Sequence, residues 1–444
     1  MSWGNSSLGL VAAALGACTE AKPPAPALEV GQVGGASVVV LNIDTFRKDR
    51  SSFYSDAPAS MPLTTRRPWL VVDGAWSASS WTVPATATQL SGRPVHQHRV
   101  RDADMPGDSG ALDGVFLTEH LGGLGWETRI YTGNPFFGRV GDFPASAELT
   151  LFPDDGAESN AGTLASAALT WVESVDVDQP FFLWFQPMDA HDPWDPQPED
   201  FGRWSDPALV PFNIDDMSEV QQADLGEALT ATSDPAPIRE AVSAVYDEQL
   251  LELDRMVERL ILGLDARGRL EDTLVVLTAD HGELLFDGAD DEYGHAGFLH
   301  RAVGEVPLAL LHPDLEPGRA LCLTAAEDLA PTVLDLLGAP PLPQAVGQSL
   351  RSTCRSAVTA EHWAQEELRS VSASTASGRM ELRCEGGSAV GFDLANDPGE
   401  REPLPVDQVP DAGTLAAALD ALVVDVEAVD GTVCRRDDLD RVPH

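Results

Sequence analysis

The chain has 444 residues, with 28 Lys and Arg against 71 Asp and Glu, a formal net charge of -43. So acidic a surface repels phosphate backbones and argues against a nucleic-acid partner. The length suffices for a large core and predicts two domains.

At the N-terminus, residues 8–17 form an apolar run too short to span a bilayer. It ends in Leu15-Gly16-Ala17-Cys18, which resembles a bacterial lipobox, and an Ala- and Pro-rich tether follows over residues 19–35. The expectation is a lipoprotein signal peptide over residues 1–18 and lipidation at Cys18. The chain would be exported, periplasmic or anchored to the outer membrane of a bacterium, touching the membrane only through the lipid. Residues 1–7 hold no Lys or Arg, so the basic start usual in such peptides is missing.

Residues 36–43, ASVVVLNI, are a β-branched run fit for a strand buried on both faces, and they end in Asp44-Thr45. Next, Ser79 to Ala87 passes into a helix that starts around Pro84 and stops at Gly92. A hydroxyl at Thr82 sits where free N–H groups and the helix dipole favour negative charge. That suits a nucleophile toward a phosphate or sulfate ester, although the position taken alone reads more simply as a plain N-cap. Arg93, His96, His98, Arg99 and Arg101 then form a basic patch, which either offsets the acidity near an anionic substrate or is a solvated turn.

An apolar strand near Ile130 leads to Thr132-Gly133-Asn134-Pro135, a loop turn or a pocket wall. The run from Phe181 to Pro193 carries Asp189 and His191 at its end. The acidic segment 195–237 reads as a lid over a site or as a surface excursion. A helix over Pro237–Gly268 places Val242, Tyr246, Leu250, Leu253, Val257, Leu260 and Leu264 on one face. Residues 274–277 then end in Thr278-Ala279-Asp280-His281-Gly282-Glu283, where oxygen and imidazole donors stand side by side, as a divalent cation needs. Apolar runs at 36–43, 128–132, 181–186, 273–278 and 306–311 alternate with helical segments, the pattern of a mostly parallel α/β sheet flanked by helices. Ligands bind at the carboxyl ends of strands in such sheets, where Asp44, His191 and Asp280 all fall. After Leu350 short apolar segments and a helix near 415–424 predict a small C-terminal α+β subdomain, with domains at 36–350 and 351–444. Cys322, Cys354, Cys384 and Cys434 allow three pairings, and the expectation is one bridge in the C-terminal part or else free, buried thiols.

Asp44, Thr82 and Asp280-His281, in this order, resemble the sulfatase-like branch of the alkaline phosphatase superfamily. Gly92-Arg93-Pro94-Val95-His96-Gln97-His98, Met188-Asp189-Ala190-His191-Asp192-Pro193, Tyr246-Asp247-Glu248, Gly294-His295, Val306-Pro307-Leu308 and Phe392-Asp393-Leu394-Ala395-Asn396-Asp397-Pro398-Gly399-Glu400 are similar to further motifs of that family. The resemblance implies an alkaline-phosphatase-like fold and a hydrolase of phosphate, phosphonate or sulfate esters, the substrate being a small molecule or a glycan or lipid ester. It implies one divalent metal ion (Zn, Mn or Ca) on Asp44, Thr82, Asp280 and His281. His98, His191 and His295 are implied as catalytic donors, and Arg93, Asn134 and Asp189 as substrate contacts. Three positions depart from the family. Thr82 stands where sulfatases have the Cys or Ser oxidised to formylglycine, Thr45 replaces a second Asp, and Thr86 replaces an Arg. A threonine nucleophile resembles the phosphodiesterase, phosphoethanolamine-transferase and lipoteichoic-acid-synthase relatives. A phosphotransferase and a catalytically silent glycan-binding lipoprotein are therefore the alternatives.

Overall fold

The computed structural model describes residues 27–432 and 434, apart from 29, 56–59, 102–114, 139–147, 152–160, 215–219, 298 and 365–366. The expected signal peptide, its Cys18 and most of the tether lie outside the described residues. In chain order the larger part begins β1 (Ser37–Ile43), β2 (Leu70–Trp76), α1 (Thr82–Ser91), α2 (Val95–His98), α3 (Leu117–Gly123), β3 (Glu127–Thr132) and β4 (Glu148–Leu151). It continues with α4 (Ala161–Ser174), β5 (Phe181–Gln186), α5 (Val220–Ala231), α6 (Ala236–Ala266), β6 (Thr273–Ala279), β7 (Leu284–Asp287) and β8 (Glu292–Gly294). It closes with α7 (Arg301–Gly304), β9 (Glu305–Val306), β10 (Leu308–Leu311), β11 (Gly318–Ala325) and α8 (Leu329–Leu337). The C-terminal part holds β12 (Val358–Ala364), β13 (Glu367–Ser374), β14 (Gly378–Arg383), β15 (Ala389–Asp393) and α9 (Ala412–Asp430).

The main sheet has the order β11-β2-β10-β6-β1-β5-β3-β4, with β9 on β2. Its strands pair in parallel except at β9 and β10. Near-continuous apolar runs suit strands covered on both faces, and every residue of β1 and β6 is buried. Their register pairs Ile43 with Ala279, so the next residues, Asp44 and Asp280, emerge side by side at the carboxyl edge. The expected strand at 306–311 splits at Pro307, which has no N–H to give to a ladder, and β10 runs antiparallel to both neighbours. Strands β2 and β11 were not legible in the sequence. In β2 (LVVDGAW) the Asp73-Gly74 pair interrupts the apolar run as a turn would. Gly74 instead adopts φ 103°, and a Cβ there would meet the Cys322 carbonyl of β11 at 3.2 Å. The strand could not pass β11 so closely with a side chain at that position.

All seven residues of the predicted α6 face are fully buried. The segment before α6 is pinned to it. The buried Glu248 carboxylate accepts from the backbone N–H groups of Gly202 (3.1 Å), Trp204 (2.6 Å) and Ser205 (2.7 Å), and from the Ser205 hydroxyl. Residues 195–205 therefore pack onto the helix.

The C-terminal strands form an antiparallel sheet in sequence order, backed by α9 through Val371, Met380, Leu382, Leu415, Leu419, Val423 and Val426. Three side chains of the basic patch are spent on holding this layer. His96 bridges Glu361 (2.7 Å) and Asp425 (2.9 Å), Arg99 donates to the Val429 carbonyl, and Arg101 pairs with Asp430. Two disulfides form, Cys322–Cys354 and Cys384–Cys434, where one bridge or free thiols were expected. Among the described residues no helix is long and apolar enough to cross a membrane.

Candidate functional site

The loops leaving β1, β3, β5 and β6 meet at the carboxyl edge of the sheet. Asp44 is fully buried there. Thr45 follows in the left-handed region (φ 52°), a conformation that a β-branched residue holds only when its surroundings enforce it. Tyr246 of α6 contributes to that enforcement: its hydroxyl donates to the Thr45 carbonyl (2.9 Å) and accepts from the Arg47 N–H (3.0 Å). Arg47 in turn binds Asp49, Asp287 and the Glu283 carbonyl, tying the loop after β1 to the loop after β6.

Asp280 accepts from Gln186 Nε2 (3.1 Å) through one oxygen and from the His281 N–H (2.8 Å) through the other. Burial, with the Asp44 charge beside it, holds its carboxyl well above the usual range. Burial pushes His281 down to about 4, so its ring is neutral. The ring donates from Nδ1 to the Gly282 carbonyl (2.9 Å), which leaves the Nε2 lone pair 3.7 Å from both Asp44 and Asp280.

Thr82 is the first residue of α1. Its Oγ1 lies 3.2 Å from Asp44 Oδ2 and 3.4 Å from His281 Nε2, and it accepts from Asn134 Nδ2 at 3.2 Å. Asn134 also donates to Asp44 (2.9 Å), while its own oxygen accepts from the Phe136 N–H. A second layer carries the histidines. The His295 ring centre is 4.7 Å from His281 and 5.0 Å from His191. Burial alone would lower His295, but Glu283 at 3.1 Å outweighs it and raises the imidazole to about 9. Asp189 lies half-buried in the same turn as His191.

Of the residues singled out in the sequence, Asp44, Thr82, Asn134, Asp280 and His281 touch one another, with His191 and His295 behind them. Arg93 and His98 sit at the far end of α1. His98 pairs with the Thr88 hydroxyl (2.9 Å), about 9 Å along the helix from Thr82 at 1.5 Å per residue, and Arg93 donates to the Gln97 carbonyl. The sequence assigned no role to Gln186 or Glu283. A single amide closing an apolar strand, and an acid two residues past His281, were the available signals.

Asp44, Asp280 and His281 offer donor atoms all within 4.8 Å of one another. Two fully buried carboxylates side by side repel each other, and a cation between them relieves that repulsion. Two oxygens, a neutral imidazole and an adjacent hydroxyl fit a divalent ion such as zinc or manganese.

The sulfatase family model matches residues 36–339. Arylsulfatase K of Canis lupus familiaris is 32% identical over 108 residues, 23% of this chain and 19% of that protein. The matched stretch thus spans about a fifth of the relative's length. The solved structure of a protein with its substrate D-glucosamine-2-N,6-O-disulfate superimposes with a TM-score of 0.71 at 14% identity, covering 89% of this chain and 99% of that one. The phosphonate monoester hydrolase of Agrobacterium radiobacter gives a TM-score of 0.68 at 17% identity, over 88% and 95%. Such identities establish a common fold. Because the family match runs from β1 through α8, across most of the chain, this protein belongs to the sulfatase family.

Proposed function

We propose that the chain is a metal-dependent hydrolase of sulfate, phosphonate or phosphate esters with Thr82 as nucleophile. The observation that carries this reading is the Thr82 hydroxyl, 3.2 Å from Asp44 and 3.4 Å from His281, at a helix N-terminus. Asp44, Asp280, His281 and Thr82 would hold the ion, which would lower the hydroxyl pKa and polarise the ester oxygens.

The chain's own groups account for the protons. Thr82 Oγ1 gives its proton to Asp44 and forms a bond to the phosphorus or sulfur. The bond to the leaving oxygen breaks, and that oxygen takes a proton from His295, which Glu283 keeps charged at neutral pH. Water then attacks the Thr82 ester while His295 recovers a proton from it. Thr82 leaves and regains its proton from Asp44. Asn134 Nδ2, aimed at Thr82 Oγ1, steadies the charge that develops there.

The sulfated glucosamine and phosphonate esters of the structural neighbours define the substrates to try first. Two disulfides support an exported protein, anchored by lipid if Cys18 is modified. The test uses purified chain with aryl sulfate, phosphonate monoester and phosphate diester. Thr82→Ala should lose turnover on the preferred ester and keep its metal, whereas Asp280→Ala should lose both. Wild-type turnover in Thr82→Ala would remove threonine from the mechanism.

A further inference from the structure

The loop that delivers Thr82 is held from outside the main sheet. Strand β12 of the C-terminal layer runs along residues 78–80. The Glu361 N–H donates to the Ala78 carbonyl (2.9 Å), and the Ser79 hydroxyl donates to the Glu361 carbonyl (3.0 Å). One residue on, the fully buried Ser80 hydroxyl lies 3.3 Å from His362 Nδ1 and accepts from the Gly297 N–H at 3.3 Å. Ser80 Oγ carries one proton and two lone pairs, so it accepts from the Gly297 N–H and still bonds His362 Nδ1, as donor or acceptor according to the imidazole tautomer. Burial lowers the His362 pKa, which favours the neutral ring in this contact. Ser80 Oγ is thus a junction of three segments. It joins the loop two residues ahead of Thr82, the loop two residues beyond His295, and the C-terminal sheet.

We propose that His362 is a positioning residue for the nucleophile, holding the Ser80–Thr82 loop and the His295 loop in register through the Ser80 hydroxyl. The reading rests on Thr82 as nucleophile, and it makes the C-terminal layer part of the active site. The Glu361 contacts keep β12 against residues 78 and 79, and the Ser80–His362 bond extends that hold one residue nearer Thr82. Through the same hydroxyl the loop is coupled to Gly297. Misplacing a reacting hydroxyl by a fraction of an ångström lowers the rate without changing substrate affinity, because the bound state does not depend on the attack geometry.

Two measurements on the full chain test this. In steady-state kinetics, His362→Phe and Ser80→Ala should each lower kcat on the order of threefold to tenfold, the worth of one neutral hydrogen bond, with KM within twofold. His362→Asn, whose amide can accept or donate in the place of Nδ1, should restore most of kcat, and the double variant should be no worse than either single one. In amide hydrogen exchange, the peptide covering residues 78–83 should exchange faster in His362→Phe and at the wild-type rate in His362→Asn. Equal losses in the Phe and Asn variants, or multiplying losses in the double variant, would overturn the inference. If the wild-type chain hydrolyses none of the esters, the catalytic reading fails by itself. The exchange experiment then decides the positioning claim alone, and unchanged exchange in His362→Phe overturns it.

Discussion

Replacing Tyr246 by Phe should weaken the metal site without touching a ligand. The substitution removes one oxygen from a fully buried ring and leaves no large cavity. It strands two backbone groups, the Thr45 carbonyl and the Arg47 N–H, which lose partners at 2.9 and 3.0 Å. A buried polar group left unpaired costs about 1–3 kcal/mol. Partial relaxation toward neighbours brings the expected loss to about 2–4 kcal/mol, readable as a fall in urea-unfolding free energy. The effect on Asp44 is the sharper test. The Tyr246 hydroxyl helps to hold Thr45 at φ 52°, so in Tyr246→Phe Thr45 should relax toward the extended region and turn Asp44 away from Asp280. Titration calorimetry with zinc or manganese should show affinity lower by about tenfold, the equivalent of about 1.4 kcal/mol. A stability loss with unchanged metal affinity would refute this coupling, since Tyr246 would then brace the fold without placing Asp44.

Other substitutions probe the links between layers. His96, between Glu361 and Asp425, has its pKa raised: burial opposes the shift, and the two carboxylates outweigh it. Its contribution is full below the unfolded value of about 6.5 and fades as pH rises through the higher folded value. His96→Gln should therefore cost most stability at mildly acidic pH and progressively less above neutrality, as measured by urea unfolding across that window; an equal cost at every pH would contradict the charge pairing. Replacing Cys384 and Cys434 together by Ser opens a loop of sequence separation 50 and should cost about 2–4 kcal/mol, measured under non-reducing conditions. Glu248→Ala removes the acceptor of three backbone N–H groups, so amide exchange should accelerate over residues 195–205 before the main sheet is affected.

The sequence by itself determined the centre of the molecule. The runs 36–43, 181–186 and 273–278 are strands because only a sheet covered on both faces hides so many consecutive β-branched and aromatic side chains. A parallel sheet then presents the residues just past each run at one edge, and Asp44 and Asp280-His281 could be read as neighbours from that rule alone. The α6 stripe was legible for the same reason: its spacing is local. Features that depend on distant partners lay beyond reach. Asp73-Gly74 reads as a turn until β11 packs against it, and the basic patch reads as an anion site or a solvated turn until the C-terminal layer claims His96, Arg99 and Arg101. Nothing in Ser80 or His362 separately announces a bond between residues 282 positions apart. Local periodicity records which face is buried, whereas the identity of the partner on that face exists only once the two layers have docked.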